Sequence, residues 1–318
     1  MSSVARRLGV AFLLALAACT GERAGHGVRV TIPPGASVDR IADILETRNV
    51  IASPARFRWY VRLGRHDRDL QAGVFDLRTN MSVSEVVTAL TRGRVALEAV
   101  TVREAMMLRE LEVEVREVLS VPPDDWERAT RDSTLRARVG ARGPTLEGYL
   151  YPTTYFVRVG ADASEIVTQM VDEFERHWDP AWNARLDTLG MSRDEIVTLA
   201  SIIEGEVRHD EDGPYVSSVY HNRLGRHMRL QADPTVIYAL GRRRRLFLRD
   251  YEIRSPFNTY RIDGLPPHPI GQPSAASLKA ALYPARTDFL YFVAGSDGRH
   301  VFSRTYREHR AAIRTIRD

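Results

Sequence analysis

Leu199–Gly241 reads LASIIEGEVRHDEDGPYVSSVYHNRLGRHMRLQADPTVIYALG, and the rest of the chain is best read outward from it. Just upstream, Ser192 and Glu195 stand at capping-box spacing, which predicts a helix starting at Met191–Arg193. Ile196, Leu199, Ala200, Ile203 and Val207 fall on one face at helical spacing. At about 100° per residue, Glu204 lands roughly 80° from Ile196, on the border of that face. A carboxyl group on such a border is partly desolvated and can hold a proton near neutrality, as a general acid must. The plainer reading is a surface glutamate beside a core stripe. Glu206 falls near the opposite edge of the same face and reads as a surface or hydrogen-bonding neighbour.

The chain has 318 residues, 44% of them hydrophobic, enough for a sizeable core and for two domains. Its formal charge is +4, but Lys279 is the one lysine among many arginines, which is a compositional bias rather than a nucleic-acid adaptation. The run Arg242–Arg245 reads as a solvated loop. At the N-terminus, Arg6 and Arg7 precede an apolar run, Leu8–Ala18, shorter than the roughly 20 residues that a bilayer core requires. It ends in LAAC (Leu16–Cys19), similar to a bacterial lipobox, and Cys19 is the sole cysteine. Residues 1–18 are therefore expected to be a lipoprotein signal peptide and Cys19 the lipidated residue, with an uncleaved signal anchor as the alternative. In both cases the remainder lies outside the cytoplasm, held to a membrane.

Residues 19–27 form a polar tether. VRVTIPPG reads as a strand ending in a turn, Ser37–Arg48 as an amphipathic helix with Val38, Ile41, Ala42 and Leu45 inward, LQAGVFDL as a second strand, and SVSEVVTALTRG as a helix with Ser82 and Glu85 at capping-box spacing. Helices are predicted over Arg103–Leu119, before a polar Pro-Pro break, and over Ser164–His177, with Arg185–Gly190 as a link. FLYFVAG and HVFS read as paired strands near the C-terminus. The expected class is α+β.

His209, Asp210, Glu211 and Asp212 are consecutive and cannot all face one ion, so they are expected to end the helix in water, and no metal site is predicted. A G-x-S-x-G elbow and a Gly-rich phosphate loop are both missing from the sequence, and no cofactor is expected. Asn222, Arg223, Gln231, Asp233 and Thr235 interleave polar with apolar positions, and Asn258, Thr259 and Tyr260 follow in a loop flanked by prolines. Amide and aromatic side chains of this kind suit a groove for N-acetylated sugars. About half of them are expected to line it, the others fixing turns.

The ordered motifs resemble the endolytic peptidoglycan transglycosylases, the YceG-like, murein-cleaving family. SIIEGE, HNRL (His221–Leu224), MRLQADPTVIYALG (Met228–Gly241), SPFNTY (Ser255–Tyr260), GLPPHPIGQP (Gly264–Pro273), SLKAALYPARTDFLYFVA (Ser277–Ala294) and GRHVFSRTYREH (Gly298–His309) carry the likeness, with LEGYLYPTTYFV (Leu146–Val157) upstream. One segment departs from it: TVREAM (Thr101–Met106) stands where the family has a Pro-Glu-Gly turn. The resemblance implies a LysM-like domain over residues 28–98 and a catalytic domain over 99–318. It implies that Glu204 is the catalytic glutamate, protonating the β-1,4 bond between N-acetylmuramic acid and N-acetylglucosamine and then deprotonating the muramyl C6 hydroxyl, which closes a 1,6-anhydro ring. Glu147, in the EGY block, is implied as an acid supporting the sugar site. Peptidoglycan glycan strands are the expected substrate, peptidoglycan synthases the partners suggested by family analogy, and the periplasmic side of the bacterial envelope the location. The alternatives are a muramidase using Asp233 or Glu147 as second carboxylate, or a non-catalytic peptidoglycan-binding lipoprotein.

Overall fold

The computed structural model describes residues 25–33, 35–92 and 96–317, so the signal segment, Cys19 and most of the predicted tether lie outside the described residues. The chain divides into two compact units.

The first unit runs to Leu97 and takes in Arg158–Gly160. Its elements are β1 (Gly27–Ile32), α1 (Val38–Thr47), α2 (Pro54–Leu63), β2 (Gly73–Arg78) and α3 (Val83–Arg92). β1 and β2 pair antiparallel with Val30 opposite Phe75 and Val28 opposite Leu77. The period-2 alternation of these strands turns Val30, Ile32, Phe75 and Leu77 inward. They meet Ile41, Ala42 and Leu45 of α1, Phe57 and Val61 of α2, and Val86 and Leu90 of α3 in one core. α1 begins where Ser37 Oγ accepts from the Arg40 N–H. The Ser82–Glu85 pair also forms, Glu85 accepting from the Ser82 N–H at 2.8 Å. The Pro54-initiated α2 was not foreseen in the sequence.

The second unit contains β3 (Leu97–Thr101), α4 (Leu108–Leu119), α5 (Pro123–Thr130), α6 (Ser133–Val139), β4 (Thr154–Arg158), α7 (Ala163–His177), α8 (Trp182–Leu189), α9 (Arg193–Glu206), α10 (Gly213–Gly225), α11 (Asp233–Leu240), α12 (Ala275–Leu282), β5 (Tyr291–Ala294), β6 (His300–Ser303) and α13 (Tyr306–Arg317). β3 pairs with β4. β5 pairs antiparallel with β6, Phe292 opposite Phe302, through a turn in which Gly298 takes φ +83°. α9 is the centre of this unit and packs against α8, α10, α11 and α12. Every residue from Ile196 to Ile203 is buried, so the helix has no apolar stripe bordered by a polar face. Its start is as predicted, with Ser192 as N-cap and Glu195 returning a bond to the Ser192 N–H at 2.8 Å.

Two expectations are corrected. The helix predicted from Arg103 begins only at Leu108, because the residues before it pair with another segment. The Ala105 N–H donates to the Gln272 carbonyl at 2.8 Å, the Gln272 N–H donates to the Met106 carbonyl at 3.0 Å, and Ala105 sits at φ +56°. The supposed link Arg185–Gly190 lies mostly within α8, which Gly190 ends in the left-handed conformation. Among the described residues no helix is long and apolar enough to cross a membrane.

Candidate active site

The last turn of α9 carries two carboxylates two residues apart, which on a helix point about 200° from one another. They meet different surroundings. Glu206 faces a cleft of about 580 Å³ lined also by Arg208, Arg223, Leu230, Gln231, Asp233, Tyr260, Tyr291, Phe292, His300 and His309. The Tyr220 hydroxyl donates to Glu206 Oε1 at 3.1 Å. Burial pushes the Glu206 carboxyl up to about 7, and the negative charge of Asp233 acts in the same direction against the opposing Tyr220 bond, Asp233 N–H and Arg223 charge. A carboxyl poised there carries a proton in a good fraction of molecules at neutral pH and can both give and take one.

Glu204 is half-buried and does not line this cleft. Its Oε2 accepts from the Ser274 N–H at 2.8 Å and from Ser274 Oγ at 2.6 Å. Ser274 is the N-cap of α12, and its Oγ also accepts from the Ser277 N–H. Glu204 thus ties the end of α9 to the start of α12.

The sequence-selected groove residues divide evenly. Arg223, Gln231, Asp233 and Tyr260 line the cleft. Arg223 is nearly buried and donates to the carbonyls of Leu290 (2.7 Å), Leu230 (2.7 Å) and Arg229 (3.3 Å), holding the strand pair and the LQAD loop against α10. Its guanidinium also lies over the Tyr291 ring. Gln231 stands at φ +52°, a conformation L-residues rarely hold without support, and its N–H donates to the Thr259 carbonyl. Tyr260 donates to Asp233 Oδ1 at 2.6 Å, and Tyr251 to Asp233 Oδ2 at 3.3 Å.

Asn222, Thr235, Asn258 and Glu147 do not line it. Asn222 Nδ2 donates to the carbonyls of Thr287 and Phe289, at 2.9 Å each. Thr235 is fully buried against Ala232 and Thr259. Asn258, also fully buried, donates to the carbonyls of Tyr251 and Ile253. Thr235 and Asn258 stitch loops out of reach of solvent, and the half-buried Asn222 ties α10 to the segment before β5. Glu147 borders a separate pocket of about 360 Å³ with Arg109, Trp126, Tyr238 and His268. Its carboxylate accepts from the Leu108 N–H, from Gln272 Nε2 at 2.8 Å and from the Tyr238 hydroxyl at 3.3 Å. Burial pushes it up to about 8.

Of the acidic run after α9, Asp210 and Glu211 are exposed as expected, and Asp212 alone is buried. Asp212 Oδ2 accepts from the His300 N–H at 2.8 Å and lies 2.9 Å from His300 Nδ1, fastening β6 beside the cleft. Among the described residues no group of three His, Cys, Asp or Glu could hold a metal ion. In the arginine run, Arg244 makes a two-pronged ion pair with Asp250 and Arg243 reaches Glu110 and the Ala105 carbonyl. The cleft residues that sequence reading missed are Glu206, set aside for its position on a helical wheel, and Tyr291 and His300. The last two belong to the strand pair that was foreseen, but the sequence offered no signal that this pair walls the cleft.

Comparison with known proteins fits this geometry. The chain is 32% identical to an endolytic murein transglycosylase of Bacillus subtilis over 90% of its own length and 83% of that protein's. It is 26% identical to an endolytic murein transglycosylase of Streptococcus pneumoniae, over 89% of this chain and 57% of the longer relative. The crystal structure of a yceG-like protein from Listeria monocytogenes superposes with a TM-score of 0.62 at 32% identity, covering 91% of this chain and 99% of that one. The model of the YceG-like family matches residues 30–315, and the chain belongs to that family.

Proposed function

We propose that this chain is an endolytic peptidoglycan lytic transglycosylase whose acid–base residue is Glu206. The observation that carries the residue assignment is a carboxyl pushed up to about 7 on the wall of the largest cleft described, with Arg223, Gln231, Asp233 and Tyr260 around it. Glu204, the residue favoured from the sequence, is engaged by Ser274 outside that cleft and serves as a strut between helices. Glu206 gives its proton to the glycosidic oxygen between N-acetylmuramic acid and N-acetylglucosamine as the C1–O bond breaks. The resulting carboxylate then takes the proton of the muramyl C6 hydroxyl, whose oxygen bonds C1 and closes the 1,6-anhydro ring. The proton returns to Glu206 and no water is consumed. Tyr260, Tyr291 and Phe292 bring aromatic surface to the cleft wall against which pyranose packs, and Gln231 offers an amide. The strand–helix–helix–strand order of the first unit supports its reading as a LysM-like module. Cys19 supplies a lipid anchor that keeps the enzyme at the membrane face of the cell wall.

Mass spectrometry of products from purified protein and peptidoglycan tests this reading. Muropeptides should end in 1,6-anhydro-N-acetylmuramic acid, with no labelled solvent oxygen at C1. Solvent oxygen at a reducing end would make the protein a muramidase. Glu206→Gln should lose far more activity than Glu204→Gln, and the opposite ranking would return the acid role to Glu204. Labelled fatty acid should enter the wild type and not Cys19→Ser.

A further inference from the structure

We propose that Asp233 is the positioning residue for Glu206: it holds the end of α9 in place, and its carboxylate, clamped by two tyrosine hydroxyls on the wall of the same cleft, acts on the acid through its charge. The inference rests on Glu206 as the acid.

Asp233 opens α11, where an aspartate usually caps its own helix by accepting from backbone N–H groups of the first turn. Here the residue before it, Ala232, is the N-cap, and no side-chain cap bond is made. The Asp233 carboxylate turns instead to Tyr260 at 2.6 Å and Tyr251 at 3.3 Å, one hydroxyl on each oxygen. Burial first, and the neighbouring Asp233 next, hold both phenols well above their ordinary range, so each stays a donor. Both Asp233 oxygens are thus engaged as acceptors, and the negative charge held there acts on Glu206 and favours its protonated form.

The backbone of the same residue completes the arrangement. The Asp233 N–H bonds the Glu206 carboxyl, which also accepts from the Tyr220 hydroxyl. Pro234 packs so tightly on α9 that a Cβ at Gly205 would lie 2.7 Å from its Cβ and Cγ. The last turn of α9 is therefore fixed against the first turn of α11. The other charged or titratable groups around Glu206 are Tyr220 and Arg223 on α10 and, elsewhere in the cleft lining, Arg208, Tyr291, His300, Tyr306 and His309. Arg223 opposes Asp233 electrically, but its bonds go to the Leu290, Leu230 and Arg229 carbonyls and Gln231, so Asp233 is the partner bonded within reach of the acid.

The test is the pH profile of kcat/KM on purified peptidoglycan for wild type, Asp233→Asn, Asp233→Glu and Glu206→Gln. Removing the negative charge lowers the pKa of Glu206, so the alkaline limb, where the proton is lost, should move to lower pH in Asp233→Asn. A shift of one pH unit makes the deficit of this variant about tenfold greater at pH 8 than at pH 5. Asp233→Glu, which keeps the charge, should hold the limb near the wild-type position even though kcat falls. Should Asp233→Asn fail to fold, Asp233→Ser gives the same neutral test. An equal loss at every pH in the folded neutral variant would overturn the positioning role and leave Asp233 a structural or sugar-contacting group. Full activity in Glu206→Gln would instead sink the acid assignment on which the inference stands.

Discussion

Two glutamates, the partly buried Glu206 and the buried Glu147, invite comparison because desolvation raises both carboxyls, to about 7 and about 8 respectively. Their surroundings differ in what they leave free. Glu147 accepts from a backbone N–H, an amide and a phenol supplied by α4, the Gln272 segment and α11, and is 3% exposed. Glu206 meets the Tyr220 phenol and the Asp233 N–H and also faces an open cleft with polar walls. A raised pKa by itself marks desolvation, and it becomes an acid only where a substrate oxygen can come within hydrogen-bonding reach. Under the proposed function, Glu147 is a junction between segments and Glu206 the reactive group.

The largest expected effect separates them directly. Glu206→Gln should lower turnover by about 10²–10⁴-fold, the usual contribution of general acid–base catalysis, while Glu147→Gln stays within about tenfold of wild type at a temperature where both are folded. A greater loss in Glu147→Gln would reverse the comparison.

Stability against pH sharpens it further. The native state holds a proton on Glu147 between the ordinary value of 4.5 and about 8, where the unfolded chain has released it. Native protein then binds more protons than unfolded protein, so stability should fall as pH rises through that window, by up to about 1.4 kcal/mol per pH unit, and level off above it. Urea denaturation across pH 5–9 should show this slope reduced in Glu147→Gln, with the remainder, due to Glu206, ending near 7. An unchanged slope would mean that Glu147 is not the buried proton carrier.

Asn258→Ala should cost about 2 kcal/mol by stranding the Tyr251 and Ile253 carbonyls. Thermal denaturation reads that loss, and a variant that melts as wild type would place Asn258 outside the loop's support. The smallest effect is a gain. Ala105 holds a left-handed conformation at φ +56°, so Ala105→Gly should stabilise by about 1 kcal/mol in the same assay. No gain would mean the backbone there relaxes freely.

Local signals in the sequence were read well. The capping boxes at Ser82 and Ser192, the alternating strand of VRVTI and the strand pair FLYFVA and HVFS formed as expected, because each depends on residues within a few positions of one another. Helical-wheel reasoning failed on α9 for a physical reason. A helix packed on every side has no border between faces, and its residues gain solvent by lying near an end, so Glu204 and Glu206 are separated by which neighbours arrive at each side. Those neighbours, Ser274 and Asp233, are 70 and 27 residues away from them in the chain, beyond any local pattern. Asn222 and Asn258 were taken for sugar-facing amides because composition cannot distinguish an amide that meets substrate from one that meets a carbonyl. The start of α4 differs from the sequence expectation because a strand-like exchange between Ala105, Met106 and Gln272 overrides helical propensity.

Asn258 has one more consequence. By drawing two carbonyls of its own loop onto a single amide, it fixes the segment from Tyr251 to Tyr260 in advance of any ligand. The conformational entropy of that wall is then spent during folding and not at each encounter with a glycan. Association should consequently be limited by the ordering of a flexible polysaccharide and the release of cleft water, so that stiff, taut glycan strands are captured more readily than slack ones.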